Sequence, residues 1–513
     1  MPPSRTAPEP VRTGGPQGQG RVPRLGPVLL VLLLSAGPLV LAGLLLRHGA
    51  QWPVHPGARG GGHGGGAGKA PEPWRLLLAL AVVVAAARAV GGAFARFLRQ
   101  PRVVGEMVSG IVLGPSVLGA VAPQVYRTLF PAGLLSYVDA FAQIGLALFM
   151  FLVGLEFAGE SRAARAVHGP RGSRASSGPG GGPGPGGGRA GTVIGISGTA
   201  LPYSLGIALA CAMYGTLAPG GVGFLPFALF LGVAMSVTAF PVLASILMER
   251  GTMHTRAGRL AVLAAAGADL LCWLLLAVAV ALLRNASLAG VARTLALTAA
   301  FCAAMVLFVR PLLRTVLLRP ARWLPDGALL ALVLVGVLLS GVATDRIGVH
   351  LIFGAFLFGA LCPAEAPGLR VVQGRMQEFT TSVLLPPFFA SVGLKTELGL
   401  LGGDSALWMW FAAALAVAIA GKLAGSSLAA ALTGVGGRDA LRVGVLMNCR
   451  GLTELVILGI GLELGVLTPA LFTVLVLVAL TATAMTAPLL DLLDRGETAR
   501  NRTRNRTLLS DHH

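Results

Sequence analysis

One carboxylate, Asp269, stands in the middle of the apolar stretch 260–283, and one ammonium, Lys422, stands in the middle of another, 406–432. Charges at that depth of a bilayer are costly, so they face a bundle interior or a water-filled cavity and mark ion or proton paths. Neither is expected to stay charged alone, and the two are expected to pair with one another. Burial disfavours the charged form of each and pairing opposes that, which is the chemistry of a proton-linked switch. Lysine suits it better than arginine, because a desolvated ammonium releases its proton more readily. A purely structural buried pair is the competing reading.

Two polar interruptions lie beside those charges. In SVTAFP, residues 236–241, Ser236, Thr238 and Pro241 break the apolar run 222–248. Proline removes a backbone donor and frees a carbonyl about one turn earlier, so this span should break and expose backbone groups able to coordinate an ion. In LMNCRGLTELVI, residues 446–457, Asn448, Arg450, Gly451, Thr453 and Glu454 fall inside an apolar run that would make a poor lipid-facing helix. It reads as a second broken span lining a cavity. Such paired interruptions point to a transporter built from inverted repeats with its ion site near the membrane midplane. Four other charges in apolar runs read more simply. Arg88 and Glu156 snorkel from span ends, Glu106 sits near a helix N-terminus, and Asp345 caps or pairs locally, with a functional role as the rival reading for these last two.

The elements that must position these residues are membrane spans. The chain has 513 residues, 55% hydrophobic and only 12% charged, with mean hydropathy +0.77, which excludes a water-soluble globular protein. A formal charge of +19 invites a nucleic-acid reading, but the arginines sit in short gaps between apolar runs, as positive-inside topology requires. No nucleic acid is expected as a partner; the bilayer is. Cys211, Cys272, Cys302, Cys362 and Cys449 are widely separated inside apolar runs and read as small core residues, not metal ligands.

Residues 1–26 read as a disordered cytoplasmic tail. The run 27–46 is long enough to span a bilayer, with a cleaved signal peptide as its rival, and 47–73 is a Gly-rich linker. Thirteen further runs fill 74–490, with those near 347 and 380 short for spanning helices, and 166–190 forms a disordered Gly/Pro loop. A cytoplasmic tail, 491–513, follows, too short for a soluble regulatory domain. Alternating arginine-rich gaps place both termini in the cytoplasm. The Arg/Gly/Ala/Pro bias suggests a GC-rich bacterial genome and hence a plasma membrane.

The strings LRQPRVVGEMVSGIVLGPSVLG, LFMFLVGLEF, SVTAFPVLASILMERG, RLAVLAAAGADLLCWLLLA, TDRIGVHLIFGAFLFG, LLPPFFASVGLKTEL and LMNCRGLTELVILGIG resemble the monovalent cation:proton antiporter-2 family of the sodium/proton exchanger superfamily. The resemblance implies an all-α polytopic antiporter fold of thirteen spans with two discontinuous crossing helices, here plus one extra N-terminal span. It implies a core of spans 4 to 6 and 11 to 13, counted from Trp74, moving against a dimerisation domain, hence a homodimer. Asp269 would bind the proton or the cation, with Thr238 and Ser236 from the broken fifth span and Lys422 compensating charge. Pro241, Asn448, Arg450, Gly451 and Glu454 would form the discontinuous helices.

The function so implied is exchange of Na+ or K+ for protons, without cofactor, transition metal or enzymatic chemistry. The family usually has Asn or Asp before the key acid, whereas this sequence has Ala268; a single carboxylate implies one proton per cation and an electroneutral cycle. Two alternatives are a transport-inactive membrane sensor or scaffold, and a potassium efflux channel-like protein without its regulatory domain.

Overall fold

The computed structural model describes residues 25–49, 51–52, 72–98, 100–131, 133–167, 187–253, 255–284, 288–318, 326–363 and 366–510. The N-terminal tail, most of the Gly-rich linker and most of the Gly/Pro loop lie outside them. Among the described residues the chain is entirely helical in its regular structure, and ten helices are long and apolar enough to cross a membrane. An all-helical polytopic architecture follows from the requirement that every backbone amide in hydrocarbon find an internal partner.

Both interruptions appear where the polar residues fall. The helix Phe224–Ser236 stops, residues 237–239 run extended, and the chain resumes as Phe240–Glu249. Pro241 is thereby the second residue of the new helix, where its missing N–H costs nothing and its fixed φ suits helix entry. Later, Gly437–Met447 ends, residues 448–451 cross non-helically, and Leu452–Glu463 follows. The Lys422 helix, Ser405–Leu432, starts where Asp404 accepts a hydrogen bond from Ala406 N at 2.9 Å, an ordinary N-cap.

Span boundaries differ from expectation near residue 380. The expected span 380–394 is the second half of a continuous helical segment, residues 367–394, that also takes in the polar stretch RVVQGRMQEF. A π-turn, Thr380–Leu384, joins the halves immediately before Pro386 and Pro387. Prolines lack the donors that a regular α-helix would use there, and a π-turn shifts the register to accommodate them. The short run near 347 is a genuine short helix, Leu351–Leu361, inside the bundle.

The helices sort into two groups. One holds Pro73–Ala93, Arg102–Leu113, Leu134–Val167, Asp326–Ile347, Leu351–Leu361 and Leu385–Leu394; the other holds Gly187–Leu217, both broken pairs, Arg256–Arg284, Ser405–Leu432 and Pro469–Ser510. The second contains spans 4 to 6 and 11 to 13 of the expected core. The extra helix Leu25–Gly49 joins this second group: Ser35 Oγ lies 2.9 Å from Ser197 Oγ, and Trp52 packs on Tyr214 and Phe224.

Within each group glycines let backbones touch, as membrane helices require in the absence of a hydrophobic drive between them. A methyl added at Gly359 would run into the Phe151 carbonyl, and one at Gly154 into the Phe356 carbonyl. Gly393→Val and Gly359→Val should therefore each destabilise the purified protein by about 2 kcal/mol or more through overpacking. Gly92→Ala, with nothing within 4 Å of the new methyl, should leave the thermal unfolding midpoint in detergent near wild type.

Candidate ion-binding site

The site is built where the two interrupted stretches cross back to back. Ala239 N donates to Cys449 O at 2.9 Å, and the Thr238 hydroxyl donates to Met447 O at 3.2 Å. The C-terminal ends of both leading half-helices therefore meet at the crossing, and each carries unsatisfied carbonyls and a negative partial charge. Arg450, fully buried, covers one end by donating to Ala234 O at 3.2 Å and Met235 O at 2.7 Å. Lys422, also fully buried, donates to Thr238 Oγ1 at 2.5 Å and reaches the other end through that hydroxyl.

Arg450 is neutralised by Glu454 one turn later, at 2.6 Å, with both side chains buried. Thr483 Oγ1 donates to Arg450 O at 2.6 Å, and Asn448 Nδ2 lies 3.4 Å from Ala482 O, so the helix Pro469–Ser510 ties down the second crossing stretch. Gly451 sits close against Val242, where a side chain would collide. Ser236 is buried, donates to Val233 O at 3.0 Å and touches Cys272 Sγ at 3.6 Å.

Asp269 comes to this crossing from the helix Arg256–Arg284 and is 7% exposed. Its neighbours are the Thr453 hydroxyl, in the first turn of Leu452–Glu463, and the Lys422 ammonium. A carboxylate at that helix N-terminus is stabilised by the helix dipole. Its Oδ1 is buried with no hydrogen-bond partner. Such an orphaned oxygen is expensive without a ligand and suited to a proton or a small cation.

The expected direct pair between Asp269 and Lys422 does not form among the described residues. The lysine makes its hydrogen bond to Thr238, in the non-helical stretch 237–239, and acts on Asp269 as a nearby charge. All of Asp269, Thr238, Ser236, Lys422, Asn448, Arg450, Gly451 and Glu454 are brought to or beside the crossing, while of Pro241 the backbone place alone is described. Glu106 is buried in the other helix group near Arg88 and Arg102 and is no part of the site; Arg88 and Glu156 are exposed. Sequence reasoning took Cys272 for plain core and passed over Ser426, which is buried one turn beyond Lys422. Helical spacing from Asp269 and Lys422 carried the signal for both.

The family model described as sodium/hydrogen exchanger, transmembrane, matches residues 82–492, most of the chain and the whole of this site. The chain belongs to the sodium/hydrogen exchanger family. It is 38% identical to the Na(+)/H(+) antiporter NhaS4 of Synechocystis over 81% of its own length and 96% of the relative's. It is 37% identical to Cation/H(+) antiporter 20 of Arabidopsis thaliana and 34% identical to K(+)/H(+) antiporter 1 of Saccharomyces cerevisiae. These matches cover 80% and 77% of the chain, but only 48% and 44% of those longer proteins. The fold resembles that of the sodium proton antiporter MjNhaP1 of Methanocaldococcus jannaschii, with TM-score 0.55 at 14% identity, over 80% of this chain and 95% of that one. The exchanger family is one of multi-pass integral membrane transporters.

Removing one partner of the buried Arg450–Glu454 pair strands the other charge. Glu454→Gln or Arg450→Met should each cost about 3–5 kcal/mol of stability. Thermal unfolding in detergent should show the double variant losing less than the sum of the singles.

Proposed function

We propose that this exchanger carries Na+ or K+ against protons, with Asp269 binding the proton in one half of the cycle and the cation in the other. The observation that carries the proposal is the buried, unpartnered Asp269 Oδ1 beside the Thr453 hydroxyl, at the crossing of two broken helices. The deprotonated carboxylate would take the cation with help from Thr453, Thr238 and nearby backbone carbonyls; the protonated one is neutral and crosses without a cation. Two ligands compete for one acid, so exchange needs no covalent chemistry. The empty form must be the costly one to translocate, since otherwise the cation would leak.

One carboxylate faces the crossing without a direct cationic partner. Glu454 is held by Arg450 at 2.6 Å, and the position before Asp269 is the buried Ala268. One proton therefore exchanges for one monovalent cation, and the cycle is electroneutral. Lys422 contributes the same charge in both loaded forms, so it leaves the one-for-one balance unchanged. The setting that fits these properties is a bacterial plasma membrane, with both termini cytoplasmic and the chain as a homodimer.

In proteoliposomes, Asp269→Asn should abolish cation-dependent proton flux while leaving the folded yield intact; normal exchange in that variant would remove Asp269 from the mechanism. Wild-type flux scanned over the alkali cations should be saturable with Na+, K+ or both. An imposed membrane potential should leave its rate unchanged, and a voltage-dependent rate would refute the one-for-one exchange.

A further inference from the structure

The two helix groups meet along a seam, and three cavities among the described residues lie on it. At one end an apolar groove of about 420 Å³ separates Val104 and Val108 from Leu480, Ala484 and Pro488. At the other end the seam is nearly shut around a cavity of about 30 Å³, lined by Asp139, Gln143, His350, Ser391, Lys395 and Glu463. This shut end lies away from the C-terminal end of the helix Pro469–Ser510. Thr473, near the start of that helix, accepts from Glu397 N at 3.1 Å, whereas Asp491 near its far end pairs with Arg250.

A polar bridge holds the shut end. Lys395 Nζ lies 2.9 Å from Asp139 Oδ2 within the first group and 4.0 Å from Glu463 Oε1 of the second. Ser391 Oγ donates to Asp139 Oδ1 at 2.5 Å, and Gln143 hydrogen-bonds Glu463. The side chains of Lys395 and Asp139 are 23% and 22% exposed, and that of Glu463 is 42% exposed. The ion pairs Arg250–Asp491, Arg442–Asp494 and Arg450–Glu454 each join residues of the second group. The Lys395–Glu463 contact crosses the seam instead. Glu463 is also the last residue of Leu452–Glu463, the half-helix whose first turn carries Thr453 beside Asp269. One rigid half-helix thus links the bridge to the ion site.

We propose that Lys395 is a gating residue: a tethered ammonium occupying the place a monovalent cation would take between Asp139 and Glu463, so that the seam opens on that side only when the ammonium releases Glu463. A cation arriving there meets two carboxylates whose charge Lys395 already offsets, and it must compete with that ammonium. The kinetic consequence rests on the exchange proposed above, whereas the seam-closing contact does not.

The test therefore has two arms. Amide hydrogen exchange of the full-length protein in lipid nanodiscs reads local opening without any transport. Lys395→Met and Lys395→Glu should each raise exchange several-fold in peptides around 456–466, Lys395→Arg should match wild type, and Lys395→Glu combined with Glu463→Lys should return towards it. Unchanged exchange in Lys395→Met, or a folded charge-swap variant that exchanges like the single variant, would overturn the gate. In the second arm, sided flux should show Lys395→Met lowering the apparent KM for Na+ or K+ presented to the Lys395 face several-fold, with the opposite face unmoved. An equal change at both faces would refute gating there. Absence of flux in the wild type would sink the exchange reading and leave the gate to be judged by the first arm.

Discussion

Everything in this fold depends on two non-helical segments touching in the middle of a bilayer. Residues 237–239 and 448–451 expose backbone groups where water is absent, and each unmet group there costs several kcal/mol. The Ala239–Cys449 hydrogen bond joins the segments directly, and the Thr238 hydroxyl adds a second link to Met447. The remaining problem is electrostatic, because two helix C-termini converge at one point. Arg450 and the Lys422–Thr238 relay answer it, one for each helix end. Both cations are therefore first of all structural, and both must stay in place whichever ligand the acid holds.

That division explains why Asp269 differs from the other buried acid. Glu454 faces a guanidinium at 2.6 Å and serves to neutralise it, so its charge is fixed by its partner. Asp269 faces a hydroxyl and a cation engaged elsewhere, which leaves one oxygen with room in its bonding. An acid so placed changes ligands without dismantling the crossing. Had Lys422 paired with it directly, an incoming alkali ion would have had to displace a full charge from contact; the hydrogen bond that Lys422 makes to Thr238 instead removes that obstacle.

Much of this was legible in the chain because the signals were local. SVTAFP and NCRGLTE break apolar runs by their own chemistry, Pro241 dictates where a helix can restart, and Asp404 marks where one begins. What was missed is non-local. No spacing could show that Thr238, not Asp269, accepts the Lys422 hydrogen bond, since the two lie 184 residues apart and meet only through the crossing. The helix Pro367–Phe379 was read as a gap because RVVQGRMQEF is polar, although it continues an apolar span through a π-turn. Lys395 carries no such local signal, because its partners Asp139 and Glu463 come from distant parts of the chain.

The contrast between packing within the groups and packing between them sets what can move. Inside each group helices touch backbone to backbone: Gly110 and Gly393 face the Ala390 and Met107 carbonyls in one, and Gly195 and Gly425 face the Ala264 and Ser197 carbonyls in the other. Such contacts tolerate no sliding, because any shift drives carbonyls into neighbouring chains. The seam instead has side-chain contacts, small cavities, an apolar groove and a few hydrogen bonds such as Gln100 to Ala484. A relative displacement of the groups disrupts little there, whereas the same displacement inside either group would break many close contacts. The ion site lies wholly in the second group, and the extra N-terminal helix docks on that group through Ser197 and Tyr214. It therefore belongs to the same packed group as the candidate site.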